Sequence, residues 1–153
     1  MDFERKYTKK DILIIGGGTS TMDVKWESLI NDSTYIWSCN DFYLNSRVRE
    51  QNLDLYQLSF TTDLYDKSLI EYLNKVQPFT YFEPQHFRNK WQTEEFKLFK
   101  SRLDYDSYAM NIDIGQLQYS IGQRAGAVLR LITLALSTNA SNIYFVGFDG
   151  FNR

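Results

Sequence analysis

Three consecutive glycines, Gly16-Gly17-Gly18, lie between the apolar run Asp11-Ile12-Leu13-Ile14-Ile15 and the hydroxyl pair Thr19-Ser20. A loop of this composition turns sharply and brings bare backbone close to a ligand. Where a helix opens behind it, the free N–H groups suit a phosphate. The dinucleotide fingerprint is absent, because Gly16-Gly17-Gly18-Thr19-Ser20-Thr21 lacks the third glycine of G-x-G-x-x-G. No Gly-Lys-Ser/Thr follows, so the loop is not a Walker loop either. A tight turn with no ligand would use the same glycines. What favours a phosphate is position, since ligands of open α/β sheets gather at the carboxyl ends of the strands.

Other residues can face the same crevice. Asn40 and Asp41 end the second apolar run, where an amide can read a base or a ribose as both donor and acceptor. An ordinary Asx turn is the alternative there. Asp149 follows the last apolar run and is expected either to hold a ribose hydroxyl or to cap a local turn. In Gln123-Arg124-Ala125-Gly126, the Arg124 guanidinium is suited to a phosphate, and Gly126 implies close packing or close ligand approach. His86 is the single histidine and Cys39 the single cysteine. His86 has no clear acidic partner in sequence and reads as structural, while Cys39 inside an apolar run reads as a buried core thiol. No nucleophile–base pair emerges, and with one cysteine and one histidine no Cys- or His-based metal site is expected.

These residues need elements to hold them. Asp11 to Ile15 and Thr34 to Cys39 read as buried parallel strands, with Leu53 to Phe60, Phe79 to Phe82 and Asn142 to Val146 as three more. Between them, Asp23 is expected to cap a helix over Val24 to Ile30, and Leu64 to Lys75 carries a helical pattern. Glu94 to Leu103 and Gln116 to Ser137 also read as helices, with Asp104 to Gly115 as a loop. Strands alternating with helices predict a Rossmann-like α/β domain: a mostly parallel sheet of about five strands with helices on both faces. No repeat or linker divides the chain, so residues 1–153 are expected to form one nucleotide-binding domain behind a flexible charged stretch at 1–10.

Composition narrows the partners. With 17 basic and 19 acidic residues there is no excess of positive charge for a nucleic-acid backbone. No apolar run approaches the ~18 residues of a membrane span, and the charged start is unlike a signal peptide, so a cytoplasmic location is expected. At 43% hydrophobic and 16% aromatic residues, the chain has ample material for one core.

Taken together, these segments resemble a known family. Gly16-Gly17-Gly18-Thr19-Ser20 is similar to the Gly-x-Gly-Pro-Ser loop of the bacterial lipooligosaccharide sialyltransferases, which use CMP-sialic acid. Ser38-Cys39-Asn40-Asp41-Phe42-Tyr43 resembles their Arg-Cys-Asn-x-Phe-Tyr segment, and Ile143-Tyr144-Phe145-Val146-Gly147-Phe148-Asp149 their Ile-Tyr-Leu-x-Gly-Ile-Asp strand. More distantly, the loop and closing strand resemble the hydroxymethylpterin diphosphokinase-like proteins and the motility accessory glycosylation proteins. The resemblance implies a nucleotide-sugar-binding glycosyltransferase domain with a CMP-linked donor, no metal and no further cofactor. It places Gly17, Gly18 and Ser20 at the phosphate and sugar, Asn40 at the cytidine monophosphate, Gly126 near the nucleotide and Asp149 at its edge. Thr19 stands where the family has proline, and Arg124-Ala125-Gly126 where it has Thr-Ser-Gly. The family's catalytic histidine and its two phosphate-stabilising tyrosines are expected beyond Arg153, so no catalytic residue is assigned within 1–153. A non-catalytic nucleotide-binding module of a glycan-assembly system and a metal-dependent pterin or nucleotide diphosphokinase-like enzyme are the alternatives. A glycan acceptor and a second copy of the chain are the further candidate partners.

Overall fold

The chain is seen in a computed structural model that describes residues 3–58, 67–82, 102–103, 112–114, 117–119 and 127–149. The first strand, β1 (Asp11–Ile15), is buried from Ile12 to Ile15 because parallel sheets carry helices on both faces. It pairs in parallel with β2 (Thr34–Cys39) on one side, Leu13 opposite Ile36, and with β8 (Asn142–Val146) on the other, Ile15 opposite Val146. Beyond β2 come β3 (Leu55–Leu58), β4 (Phe79–Phe82) and β5 (Arg102–Leu103), each parallel to its neighbour. Among the described residues the sheet thus has six strands in the order β5-β4-β3-β2-β1-β8, a Rossmann-like α/β arrangement. From β1 the chain steps outward to β5 and then returns to the far side of β1, so the order reverses between β1 and β8.

Alternation along the strands feeds two cores. Leu13, Ile15, Ile36 and Tyr56 pack with Trp26 of α2 (Trp26–Leu29), Val48 of α3 (Ser46–Arg49), and Leu69 and Leu73 of α4 (Lys67–Val76). Ile12, Ile14, Trp37, Cys39 and Leu55 pack on the other face with Leu131, Leu134 and Ala135 of α5 (Ala127–Ser137). Tyr7 of α1 (Phe3–Tyr7) joins this second core, its ring edge-on to Tyr35 and Trp37 at 4.9 and 5.1 Å. Residues 3–7, expected within a flexible stretch, are therefore helical and anchored. Backbone bonds from Lys9 to Asn139 and from Ser141 to Lys10 tie that corner down.

Several expected elements change. The helix expected over Val24 to Ile30 is only the single turn of α2, preceded by a 3-10 helix at Thr19–Met22 whose end, not whose start, is Asp23. Leu103, expected to end a helix, lies in β5 opposite Tyr81. Ile112–Ile114 and Leu117–Tyr119, expected as loop and helix, form the antiparallel pair β6 and β7. Here three-residue strands lie below the length at which periodicity separates strand from helix. The long helix keeps its expected end at Ser137 and is described from Ala127. Residues 59–66, 83–101 and 120–126 lie outside the described residues, and with them most of the helix expected from Glu94 and the loop holding His86.

Candidate functional site

The carboxyl ends of β8, β1 and β2 lie side by side, and each continues into a tight turn. After Ile15 the strand hydrogen bonding runs one residue further, the Gly16 N–H donating to the Val146 carbonyl at 2.7 Å. The chain then crosses Gly147, whose φ of +77° suits glycine. The Gly18 N–H donates to the Gly147 carbonyl at 2.9 Å. Room is the deciding factor at the three glycines. A Cβ on Gly16 would strike the Gly147 carbonyl, and one on Gly17 would lie 2.7 Å from the Phe42 ring. One on Gly18 would lie 2.6 Å from the Asp149 carboxylate and 2.7 Å from the Gly147 carbonyl. The protein's own packing accounts for all three glycines.

Behind the loop, Thr21 is fully buried, its hydroxyl donating to the Gly18 carbonyl at 2.8 Å and accepting from the Asn45 amide at 2.8 Å. This fixes the 3-10 turn from below. From above, the Asp149 carboxylate accepts the Ser20 N–H at 2.6 Å, the Ser20 hydroxyl, and the Thr19 hydroxyl at 3.4 Å. Asp149 therefore takes the capping role, one of the two expected for it. The Ser20 hydroxyl, then the Ser20 N–H, hold its carboxyl below the usual aspartate range. The N–H groups of Gly17 and Thr19 donate to no described residue and are the loop's open donors.

Asn40 and Asp41 begin a second 3-10 helix, Asn40–Leu44, directly after β2. The β1–β2 register carries the turn after β2 to the glycine loop, where the Phe42 ring lies against Gly17. The Ser38 hydroxyl, which donates to the Ile15 carbonyl at 2.9 Å, locks that register. Asn40 has a φ of +51°, a left-handed conformation that asparagine tolerates better than most residues. The buried Tyr56 hydroxyl donates to the Asn40 carbonyl and accepts from the Tyr43 N–H at 3.4 Å, bridging the turn. Sequence reading missed Tyr56, since it looks like any aromatic in a strand. Its neighbour Tyr43 bonds Ser68 at 2.9 Å and stacks on Tyr72 at 5.9 Å.

Of the sequence-predicted residues, Gly16, Gly17, Gly18, Thr19, Ser20, Asn40, Asp41 and Asp149 thus gather at one edge of the sheet, at its topological switch point. Arg124 and Gly126 lie outside the described residues. Cys39 is buried, and no three carboxylate, cysteine or histidine side chains cluster among the described residues. No described helix is long and apolar enough to cross a membrane.

No protein-family model matches the chain, and no curated protein matches it in sequence. Among solved structures, the fold is similar to that of the sialyltransferase CstII from Campylobacter jejuni, in complex with a substrate analogue, cytidine-5'-monophosphate. The TM-score is 0.58 at 14% identity, over 95% of this chain and 64% of that one. The likeness is one of fold, and the chain spans less than two thirds of that enzyme.

Proposed function

We propose that this chain is the nucleotide-sugar-binding domain of a sialyltransferase-like glycosyltransferase, with a donor whose sugar is joined through one phosphate to cytidine. One observation carries this reading. The glycine loop, Asn40 and Asp149 meet where the strand order reverses, the place at which open α/β sheets bind nucleotides. The fold likeness to an enzyme described with cytidine monophosphate supports it. The Gly17 and Thr19 N–H groups would meet the phosphate, and the Asn40 amide the cytidine or its ribose. Arg124 and Gly126, from the segment before α5, complete the proposed set. The transfer itself displaces the nucleoside phosphate with an acceptor hydroxyl, and the chain's part in it is to hold and orient the donor phosphate.

Titration calorimetry with CMP, CDP, UDP and GDP, with and without Mg²⁺, tests the proposal. Gly18 is unsuitable for the control, because any side chain there meets Asp149 and Gly147 before it meets a ligand. Asn40→Gly keeps the left-handed turn and deletes the amide. The expected result is saturable, Mg²⁺-independent CMP binding, weakened roughly tenfold in Asn40→Gly, the worth of one good hydrogen bond. Failure of every nucleotide to bind, or binding that demands Mg²⁺, would overturn it.

A further inference from the structure

Asp149 stands oddly in a site for an anion. Its carboxylate occupies the Ser20 N–H and the Ser20 and Thr19 hydroxyls, donors that a phosphate at this loop would otherwise take. It lies close over the loop, with no space for a Cβ between it and Gly18. It is exposed, and no described lysine or arginine pairs with it. A phosphate that reaches the open Gly17 and Thr19 N–H groups therefore sits beside a fixed negative charge that no described cation offsets.

We propose that Asp149 selects ligands by charge, making the glycine loop favour a singly charged phosphodiester, as in a nucleotide joined to a sugar, over the doubly charged phosphate of the free nucleotide. This rests on the nucleotide reading above and adds to it a preference for donor over product. A phosphomonoester carries between one and a half and two negative charges at neutral pH, because its second pKa is about 6. A phosphodiester has no second ionisation. Between exposed groups a few ångströms apart, one further negative charge lowers affinity about three- to fivefold. Salt shrinks that factor. When the sugar–oxygen bond breaks, its electron pair stays on the phosphate oxygen, while the acceptor oxygen bonds the sugar carbon and releases its proton to solvent. The departing nucleotide gains the charge that Asp149 disfavours, so the same residue that steadies the loop speeds product release.

The test compares two ligands, CMP and its methyl phosphodiester, on wild type, Asp149→Asn and Asp149→Ser at low salt. Asp149→Asn keeps an acceptor for the Ser20 N–H, Asp149→Ser removes the charge with a smaller polar group, and thermal unfolding confirms that both remain folded. Wild type is expected to bind the diester about three- to fivefold more tightly than CMP, with both variants bringing that ratio close to one. A ratio unchanged by the substitutions, including the case where both ligands weaken alike, would mean that Asp149 is only a cap and would overturn the inference. If wild type binds neither ligand, the nucleotide reading itself fails and takes the inference with it.

Discussion

Gly18 shows how a glycine can be demanded by the chain before any ligand arrives. Its α-carbon lies against the Gly147 carbonyl and the Asp149 carboxylate, both backed by hydrogen bonds to the same loop. Gly18→Val is therefore expected to destabilise the fold by about 1–3 kcal/mol, the usual cost of overpacking. Urea unfolding measures this, and a variant as stable as wild type would contradict the geometry. Asp149 makes a prediction of its own sign. Its native carboxyl is held below the ordinary aspartate value, so its contribution to stability is present above about pH 4. That contribution is lost as pH falls through the lower native value. The stability gap between wild type and Asp149→Asn should be constant at neutral pH and close in acid. At this scale the sequence was informative about position and less so about role. Asn40 and Asp149 were legible because they follow strand endings. The bridge from Tyr56 to Asn40 was not, because it depends on which strand lies next to which.

Helix α1 shows how an element can hide in a charged stretch. Of residues 3–7, Tyr7 is buried against Tyr35 and Trp37, while Lys6 spans the edge of the sheet to Asp54 at 3.9 Å. Tyr7→Ala is expected to cost about 3–5 kcal/mol, as for other buried aromatics, whereas a flexible stretch would lose nothing. Differential scanning calorimetry distinguishes the two. Asp54 behaves oppositely to Asp149. Burial raises its pKa, against the Ile36 N–H at 2.9 Å and Lys6, which lower it. A raised native value favours the protonated form, so the ionised carboxylate weakens the fold as pH rises through it. Asp54→Asn keeps an acceptor for Ile36 and should raise the melting temperature at pH 7, with the gain shrinking in acid. Strands β1, β2, β4 and β8 were readable to the residue because their apolar runs end at glycine, asparagine or glutamate. By contrast, β5, β6 and β7 are two or three residues long, and pairing rather than periodicity defines them. The helix expected from Asp23 shrank to one turn because Asp23 closes the 3-10 turn instead of opening a helix, and Ile30 is already extended.

On the scale of the whole molecule, the sheet order matters more than any single motif. The reversal between β1 and β8 brings the first and last strands together, so residues some 130 positions apart, Ser20 and Asp149, bond directly. Sequence alone pointed to a parallel α/β sheet, but not to which strand would be the partner of β1 on its second side. The central claim is that a nucleotide binds at the carboxyl edge of β8, β1 and β2. Amide chemical-shift mapping of the labelled protein titrated with CMP tests this most directly. Concentration-dependent shifts are expected at Gly17, Thr19, Ser20, Asn40 and Asp149, with Thr34, Asp54 and Asn142 at the opposite edge unmoved. Shifts gathered at that opposite edge, or none at saturating nucleotide, would contradict it.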